Sequence, residues 1–371
     1  MSRIEQGYLF LGARVGLRSD DRAFMDRFDQ DYASFIAPTR GHAPDLSLAV
    51  DLAASKRQIV VGSAGATRTT KLPVADLALV YSLVFGEILR SLKDFIFFHA
   101  GVVCRDGRAL VLSGAPHSGK TTLVRELVGG GFTFYSDEFC PVHLKSRRVH
   151  PFPRSVWLEE RRDGRPAPPE KVPIFPHGLG RPVGEKAVPM GMLVFLDPQR
   201  KDGGRASFHT LIRSAWKDRF LQDLRREDIR AEKIPGSNFH TVSLAHADDP
   251  RARGRLSLAV HRNRAGILQA YQVHGHDADF SPRPSMEAMP TVEAARRWLS
   301  HLIDRSHRLT AGSPGLLFYR LCCLLKNVPC YSLRPGDLEA TKALIELAWT
   351  RRSRPVDGAA RPREGKTRNA N

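Results

Sequence analysis

The chain has 371 residues, of which 42% are hydrophobic, so it can bury a sizeable core and should form two or three structural units. No apolar run is long enough to cross a bilayer, and the first residues lack the basic-then-apolar layout of a signal peptide, which together predict a cytoplasmic protein without a membrane partner. The net charge of +18 reflects either an Arg-rich composition with a basic tail or an acidic partner, but the sequence contains no recognised nucleic-acid module, so nucleic acid is not a predicted partner.

Residues 1–94 are predicted to form a small N-terminal α/β domain. A helix begins near Asp21 and carries Phe24, Phe28 and Tyr32 at helical spacing. Two strands and a second helix are predicted further along, at residues 46–50, 58–62 and 73–92. This part contains no catalytic pattern, and we interpret it as a docking or substrate-facing module.

A β-hairpin is predicted immediately after this domain. Apolar runs at residues 95–104 and 108–113 flank Asp106-Gly107, a dipeptide that is typical of two-residue hairpin turns. Pairing Arg105 with Arg108 across the turn would place His99 opposite Gly114. The hairpin is therefore expected to carry His99 to the start of the loop that follows.

That loop has the pattern G-x-x-x-x-G-K-[ST] between a strand and a helix-like run that ends in three glycines. In such a loop backbone N–H groups surround phosphate oxygens, the lysine reaches the terminal phosphates, and the first hydroxyl can hold Mg²⁺. The positive end of the following helix favours the same anion. The alternative is a glycine-rich turn that binds nothing. The pattern predicts ATP and Mg²⁺ as ligands and the following nucleotide-binding residues: Gly114, Ala115, Pro116, His117, Ser118, Gly119, Lys120, Thr121 and Thr122.

An acidic pair follows the next strand. Residues 132–135 are predicted to be a strand that ends at Ser136-Asp137-Glu138, where an open α/β sheet collects its ligands. Because adjacent strand residues point to opposite faces, one carboxylate can help to bind Mg²⁺ while the other accepts a proton. His99 could tune the charge and orientation of Asp137. The alternatives are a solvated acidic turn and a histidine whose hydrogen bonds are satisfied at a strand end.

The rest of the chain is predicted to complete the core around an inserted lobe. Residues 190–196 have the pattern of a buried strand, and residues 201–289 differ in composition and form the lobe, with a helix near 214–225 and short strands. Residues 291–349 have a helical pattern with a turn at 326–329, so residues 95–200 and 290–350 together form the predicted core. Residues 351–371, rich in Arg, Pro, Gly and Ala, predict a disordered basic tail.

The order of these motifs resembles the catalytic core of HPr kinase/phosphorylase and its relatives. The motifs are His99-Ala-Gly-Val-Val, the loop pattern, and Ser136-Asp137-Glu138. The likeness is best with the branch that includes kinases of peptide-modification clusters, such as lasso-peptide tailoring kinases, to which residues 151–154 and 329–333 are also similar. It covers about residues 95–160 and 290–347. The resemblance implies a P-loop kinase core whose mixed sheet is akin to that of phosphoenolpyruvate carboxykinase.

The resemblance also implies roles for individual residues. Carried over by position, Asp137 is the catalytic base, Glu138 the metal-side acid together with Thr121, and His99 the residue that assists the base. Lys120 completes the catalytic set at the phosphates. Relatives with HPr kinase activity assemble into hexamers, so a homo-oligomer is an expectation as well.

This chain departs from the family pattern in three places. Glu138 stands where the family has a second Asp, residues 201–289 lie outside the compact family core, and the family's later Glu-bearing motif is matched only at 176–180. The resemblance therefore does not extend to HPr as the acceptor or to the reverse, phosphate-dependent reaction. Glu159 and Glu160 are further candidate metal ligands, and Arg154 is a candidate phosphate or substrate contact.

Three hypotheses about function follow. The first is an ATP- and Mg²⁺-dependent kinase that phosphorylates a hydroxyl, typically a serine of a small protein or peptide. The second is a nucleotide-dependent scaffold, in which ATP orders the inserted lobe without phosphoryl transfer. The third is a kinase for a free small molecule such as serine. They are separated by whether labelled phosphate reaches a second molecule, and which one.

Overall fold

The computed structural model of the protein has a mixed α/β architecture with two large mixed sheets, which confirms the predicted α/β class. Pro116 and His117 of the predicted loop lie outside the described residues, as do residues 354–371 of the predicted tail. Within the part of the chain that is described, no helix has both the length and the apolar character needed to cross a membrane. The described residues are 3–38, 43–53, 57–63, 65–72, 77–115, 118–160, 170–174, 176–179, 182–200, 207–213, 217–227, 229–233, 239–244, 255–256, 259, 266–273, 278–279, 283–303 and 314–353.

The first unit contains β1 (Ile4–Phe10), β2 (Ala13–Ser19), α1 (Arg22–Asp31), β3 (Leu46–Asp51), β4 (Gln58–Ser63), β5 (Ala66–Lys71) and α2 (Leu77–Ser91). Its sheet has five strands in the order β1-β2-β3-β4-β5, with β2 and β3 parallel and the other neighbours antiparallel. The predicted elements α1, β3, β4 and α2 are confirmed, whereas β1, β2 and β5 were not expected.

Helix α1 begins where its sequence predicts. Asp21 caps the helix, because its Oδ1 accepts a hydrogen bond from the backbone N–H of Phe24 at 2.8 Å. Phe24 and Phe28 are buried on one face of the helix, and Asp31, close to one turn further on, is buried on the same face. A buried carboxylate requires hydrogen-bonding partners, and those of Asp31 are described with the candidate active site.

The predicted hairpin and the predicted strand at 190–196 are both present in the next part of the chain. Its elements are β6 (Phe95–Arg105), β7 (Arg108–Gly114), α3 (Lys120–Gly129), β8 (Thr133–Ser136), β9 (Phe139–His143), β10 (Arg148–Val149), β11 (Val156–Glu160), β12 (Glu170–Ile174), β13 (Val188–Leu196) and β14 (Gln199–Arg200). Arg105 pairs with Arg108 as expected, and both turn residues, Asp106 and Gly107, have positive φ.

The C-terminal half departs from the sequence prediction at several positions. Its elements are β15 (Ser207–Arg213), α4 (Lys217–Arg226), β16 (Arg230–Lys233), β17 (Phe239–Leu244), β18 (Gly266–Val273), β19 (Ala278–Asp279), β20 (Ser285–Ala288), α5 (Thr291–Leu299), α6 (Pro314–Leu325), β21 (Cys330–Arg334) and α7 (Leu338–Ser353). The prediction of helix throughout 291–349 is wrong at β21, because five residues are too few to show a periodicity and parallel pairing with β13 fixes them as a strand. Helix α7 also continues to Ser353, past the predicted start of the tail at 351.

The second large sheet has the order β10-β9-β6-β7-β13-β21-β20, with β8 also paired to β6. Strands β7, β13 and β21 run parallel, and the remaining neighbours are antiparallel. Strand β20 therefore belongs to this sheet although it lies within the predicted lobe. Strands β16, β17, β15 and β18 form a separate antiparallel sheet in that order, and β14 pairs with β19.

Strand β6, with 11 residues, lies between β9 and β7 in this sheet, and its neighbours change along each edge. On one edge, β8 pairs with residues 102–104 and β9 with residues 95–99, and Asp137-Glu138 forms the interruption between them. The carbonyl of Glu138 still accepts a hydrogen bond from the N–H of Ala100 at 3.2 Å. The acidic pair therefore lies beside β6 at the level of residues 99–101.

The other edge of β6 is interrupted at the same level. Strand β7 pairs with β6 as far as Ala100, and beyond it the backbone of residues 301–303 takes over, with the His99 N–H donating to the carbonyl of His301 at 2.8 Å. The chain leaves the sheet at Gly114, between these two neighbours, and residues 114–122 are called the phosphate-loop segment. The phosphate-loop segment and the acidic pair therefore lie on the two sides of one short stretch of β6.

Three apolar clusters hold these layers together. One lies between the second sheet and helices α3 and α7, and another between the same sheet and helices α5 and α6, where the rings of Phe98 and Trp298 stack at 3.7 Å. The third is the core of the first sheet unit, and it also includes Phe97, Phe139 and Phe152 of the second. The N-terminal unit is thus packed directly against the strands that carry the acidic pair.

Gly101 provides a test of this packing. A Cβ added there would lie 2.5 Å from Cγ2 of Val124 on α3, so Gly101→Ala should destabilise the protein by about 1–3 kcal/mol through overpacking. Urea unfolding should show that adding Val124→Ala offsets part of this loss, giving a non-additive pair. The matched control is Gly129→Ala in helix α3, which also contains Val124, because a Cβ added at Gly129 would lie in open space. Additive losses in the double variant would contradict the contact.

Candidate active site

The phosphate-loop segment begins at the end of β7 with a glycine that the packing requires. A Cβ on Gly114 would lie 2.6 Å from Oγ of Ser118 and 3.1 Å from Cβ of Leu196. At the other end, Gly119 has φ of 87° and directly precedes Lys120, the first residue of α3. Few residues other than glycine adopt that left-handed conformation without strain. Both glycines thus shape a tight turn into the N-terminus of a helix.

Lys120 lies folded back on this turn. Its ammonium donates hydrogen bonds to the carbonyls of Gly114 at 3.0 Å and of Ala115 at 2.9 Å, and its side chain is buried. Burial lowers the pKa of Lys120 to about 8, and the negative charges of Asp137 and Glu138 oppose the shift. The segment thereby holds a largely desolvated cation at the point where the pattern predicts phosphate.

Asp137 contacts the helix that follows the segment. The hydroxyl of Thr121 donates a hydrogen bond to Oδ2 of Asp137 at 2.8 Å. The other oxygen, Oδ1, is buried and has no hydrogen-bond partner among the residues that the structure describes. Burial, with a smaller contribution from Glu138, raises the pKa of Asp137 to about 6, against the effects of Thr121, Lys120 and Arg154. This carboxylate is therefore poised to exchange a proton near neutral pH.

Strand direction explains how these groups meet at one edge of the sheet. Strand β8 pairs antiparallel with β6, as β7 does. The two strands on either side of β6 consequently run in the same direction and end at the same edge of the sheet. The N–H of Phe139 donates to Oγ of Ser136 at 3.1 Å and closes the bend that contains the acidic pair.

Glu138 faces different surroundings from Asp137. Its carboxylate is half exposed and forms an ion pair with Arg154. The structure thus places Asp137, rather than Glu138, against the hydroxyl of Thr121. The assignment of Asp137 as base and Glu138 as metal-side acid remains a prediction, to which this contact adds Asp137 as a third candidate at the metal.

His99 lies at the same level of β6, near Lys120. Burial lowers the pKa of His99 well below its usual value, and the charges of Lys120 and His301 lower it further. The imidazole is therefore neutral at neutral pH. Its electrostatic neighbours are Lys120 and His301, and the assistance that His99 is predicted to give to Asp137 remains a prediction.

Two buried hydroxyls lie at the segment: Ser118, which the pattern predicted as a nucleotide-binding residue, and Ser113, which the sequence reasoning did not single out. Oγ of Ser113, at the end of β7, and Oγ of Ser118 are both buried without a hydrogen-bond partner among the described residues. Unsatisfied buried polar groups of this kind are costly and are typical of sites that receive a ligand. Their position in the pattern, one before its first glycine and one before its second, was the available signal.

The residues present fit a nucleotide phosphate and Mg²⁺. An ammonium, two orphaned hydroxyls and a helix N-terminus converge on the loop, and these are groups that bind phosphate. Thr121, Asp137 and Glu138 supply oxygen ligands, which Mg²⁺ prefers. No group of three or more His, Cys, Asp or Glu in the described part of the chain is arranged to hold a metal by itself. This agrees with Mg²⁺ sites that use one or two carboxylates plus substrate phosphates.

Comparison with known proteins leaves the functional conclusion to the site itself: no family model matches the chain, and a search of curated proteins finds no match.

Asp31 of α1 is a contributor that the sequence reasoning missed. Arg154, which pairs with Glu138, also donates to Oδ2 of Asp31 at 3.0 Å. The available signal was that Asp31 lies on the same helix face as the buried Phe24 and Phe28. A carboxylate on a buried face needs a hydrogen-bonding or charged partner. Of the other candidate metal ligands, Glu159 and Glu160 lie in β11, paired with β12, and their side chains lie outside the described residues.

The raised pKa of Asp137 predicts a gain of stability in Asp137→Asn. The folded-state pKa of about 6 exceeds the usual value of 3.8, so the protonated carboxyl stabilises the fold and this contribution is lost as the pH rises through 6. Without metal, Asp137→Asn should therefore be more stable than wild type by about 1–3 kcal/mol at pH 8 and by less than about 1 kcal/mol at pH 4. Urea unfolding in the presence of EDTA, at pH 8 and at pH 4, measures the two stability differences. A variant that is less stable at pH 8 would contradict the buried, charged carboxylate.

Proposed function

We propose that the protein is an ATP- and Mg²⁺-dependent kinase that transfers the γ-phosphate to a hydroxyl, with a serine of a small protein or peptide as the acceptor. One observation carries the proposal. Thr121 of the phosphate-loop pattern is bonded to a buried carboxylate, Asp137, whose second oxygen has no partner among the described residues. P-loop NTPases also place a carboxylate beside the loop hydroxyl to help bind Mg²⁺, so the unpartnered Oδ1 is the part of the observation that favours transfer, because an alcohol acceptor needs a proton acceptor beside the phosphates.

The phosphate-loop segment would hold the nucleotide. Its backbone N–H groups and the N-terminus of α3 would surround the phosphates, and Lys120 would exchange its bonds to the loop carbonyls for bonds to phosphate. The buried hydroxyls of Ser113 and Ser118 provide two further donors. The loop thus supplies positioning and positive charge, which are the main protein contributions to phosphoryl transfer.

Thr121 and Glu138 would hold Mg²⁺, and Asp137 would orient the Thr121 hydroxyl. The metal neutralises charge on the phosphate oxygens when it is bound. Oδ2 of Asp137 accepts a hydrogen bond from the Thr121 hydroxyl in a buried position, whereas Glu138 is half exposed and pairs with Arg154. The two acids therefore have distinct surroundings from which to divide the metal and proton roles.

Oδ1 of Asp137 would take the proton of the acceptor. The acceptor oxygen forms a bond to the γ-phosphorus, the bond to the leaving ADP breaks, and the proton moves to the carboxylate. A pKa near 6 leaves Asp137 ionised at neutral pH and still basic enough to accept that proton. The neutral imidazole of His99 adds no competing positive charge beside Lys120.

The choice of acceptor rests on the resemblance to kinases of peptide-modification clusters. A peptide or small-protein serine fits that likeness, and assembly into a homo-oligomer would accompany it. The candidate site itself requires only an alcohol.

The decisive experiment is phosphoryl transfer from γ-labelled ATP with Mg²⁺ into host lysate proteins and any peptide encoded nearby. We expect one labelled acceptor carrying phosphoserine, identified by mass spectrometry, and no label when Mg²⁺ is removed with EDTA. Tight Mg²⁺–ATP binding without any labelled macromolecule would overturn the peptide-kinase proposal. Labelled free serine would then identify a small-molecule kinase, and no label at all a nucleotide-gated scaffold.

A further inference from the structure

Asp31 connects the N-terminal unit to the candidate active site through buried polar contacts. It is only 1% exposed. Its Oδ2 accepts hydrogen bonds from the hydroxyl of Tyr81 on α2 and from Nη2 of Arg154, the latter at 3.0 Å, and Nε of Arg27 lies 3.6 Å away. A carboxylate at the end of α1 thus contacts groups from two other parts of the chain, besides Arg27 of its own helix.

Arg154 joins this carboxylate to the acidic pair with the two arms of one guanidinium. Nη2 donates to Asp31, while Nη1 donates to Glu138. The guanidinium carbon lies 5.7 to 6.0 Å from the ring centroids of Tyr32, Tyr81 and Phe139. A planar fork can bridge two carboxylates while it packs among aromatic rings, which an ammonium cannot do.

The backbone beside Arg154 is fastened to the same end of α1. The N–H of Ser155 donates to the carbonyl of Asp31 at 3.0 Å, and Oγ of Ser155 donates to the carbonyl of Gln30 at 2.6 Å. Both the backbone and the side chain at 154–155 therefore depend on α1 for their position. Glu138, whose side chain is half exposed, forms its ion pair with Arg154, which is held in place by these contacts.

We infer that Asp31 is a positioning residue for the proposed transfer: by holding Arg154, it fixes the carboxylate of Glu138 at the metal side of the site. This rests on the proposed function and deepens it, because it makes the N-terminal unit, which contains no catalytic motif, a part of the catalytic centre. Under this inference Arg154 acts by pairing with Glu138 and not by contacting the phosphates.

A double-mutant cycle in the full-length chain tests the inference. Asp31→Asn, Glu138→Gln and the double variant are compared for the Mg²⁺ concentration that half-saturates ATP binding and for the rate of transfer. Asp31→Asn should raise that Mg²⁺ concentration and lower the rate by about tenfold each, and it should have no further effect once Glu138 is Gln. Arg154→Lys should reproduce the loss, because a single ammonium cannot bridge both carboxylates.

Asp51→Asn is the matched control, since Asp51 is a buried carboxylate of the same unit that pairs with Arg3 at 2.8 Å. Equal losses from Asp31→Asn in both Glu138 backgrounds, an equal loss from Asp51→Asn, or full function of Arg154→Lys would each overturn the inference. If Asp31→Asn fails to fold, as judged by circular dichroism, the cycle of Arg154→Lys with Glu138→Gln decides. Coupling in Mg²⁺-dependent ATP binding without any transfer would support the positioning role and reject only the kinase proposal.

Discussion

Replacing Asp137 with asparagine should slow phosphoryl transfer by about 10²- to 10⁴-fold, while the affinity for Mg²⁺–ATP changes by less than about threefold. Asparagine has the same shape and can still accept the hydrogen bond that the Thr121 hydroxyl donates to Oδ2. It cannot accept a proton at the position of Oδ1. Transfer is measured with γ-labelled ATP and the identified acceptor, and ATP affinity by calorimetry.

The control for this prediction is Asp26→Asn, on the exposed face of α1, where the carboxylate pairs only with Arg22 among the contacts described. It should leave both quantities unchanged. Transfer that persists in Asp137→Asn at more than about a tenth of the wild-type rate would show that another group takes the proton. A large loss of ATP affinity would instead assign Asp137 chiefly to the metal.

Replacing Lys120 with methionine should weaken ATP binding by about 100-fold and reduce transfer accordingly. A charge-assisted hydrogen bond contributes about 1.5–3 kcal/mol, and each 1.4 kcal/mol corresponds to about tenfold in affinity. Methionine fills a similar volume in the buried position that Lys120 occupies, so the loss would come from the charge rather than from a cavity. Fluorescence titration with an ATP analogue measures the affinity.

Lys93→Met, at an exposed position before β6, controls for the loss of one positive charge from a strongly basic chain. It should bind ATP as the wild type does. Lys120→Arg should bind ATP about as weakly as Lys120→Met, because the planar guanidinium does not fit between the carbonyls of Gly114 and Ala115. Unchanged ATP binding in Lys120→Met would remove the phosphate-loop segment from the proposed site.

The parts of the fold that were predictable are those in which the sequence pattern is local. Asp106-Gly107 sets the register of the β6–β7 hairpin. The glycines at 114 and 119 mark a turn that tolerates no side chain at one position and needs a left-handed conformation at the other. Asp137 was placed beside this turn because only one helix and one short strand separate them.

The parts that were missed lack such a local pattern. Strand β5 is exposed along most of its length, so its residues show no alternation of apolar and polar side chains. Strand β21 is short and takes its conformation from parallel pairing with β13. Asp31 meets Arg154 across 123 positions of sequence, and no periodicity encodes a pairing between two charged residues that far apart.

The position of β6 between the phosphate-loop segment and the acidic pair has a consequence for how the candidate active site folds and how it changes in evolution. The contact between Thr121 and Asp137 spans only 16 positions, and the ladders that support it lie within residues 95–143. Contacts of such short sequence separation form early, because little chain entropy is lost in closing them. We therefore expect the spacing between the phosphate-loop segment and Asp137 to be set within these residues, before the more distant parts of the chain pack around them. Those outer parts can lengthen, shrink or change partners during evolution while that distance stays the same.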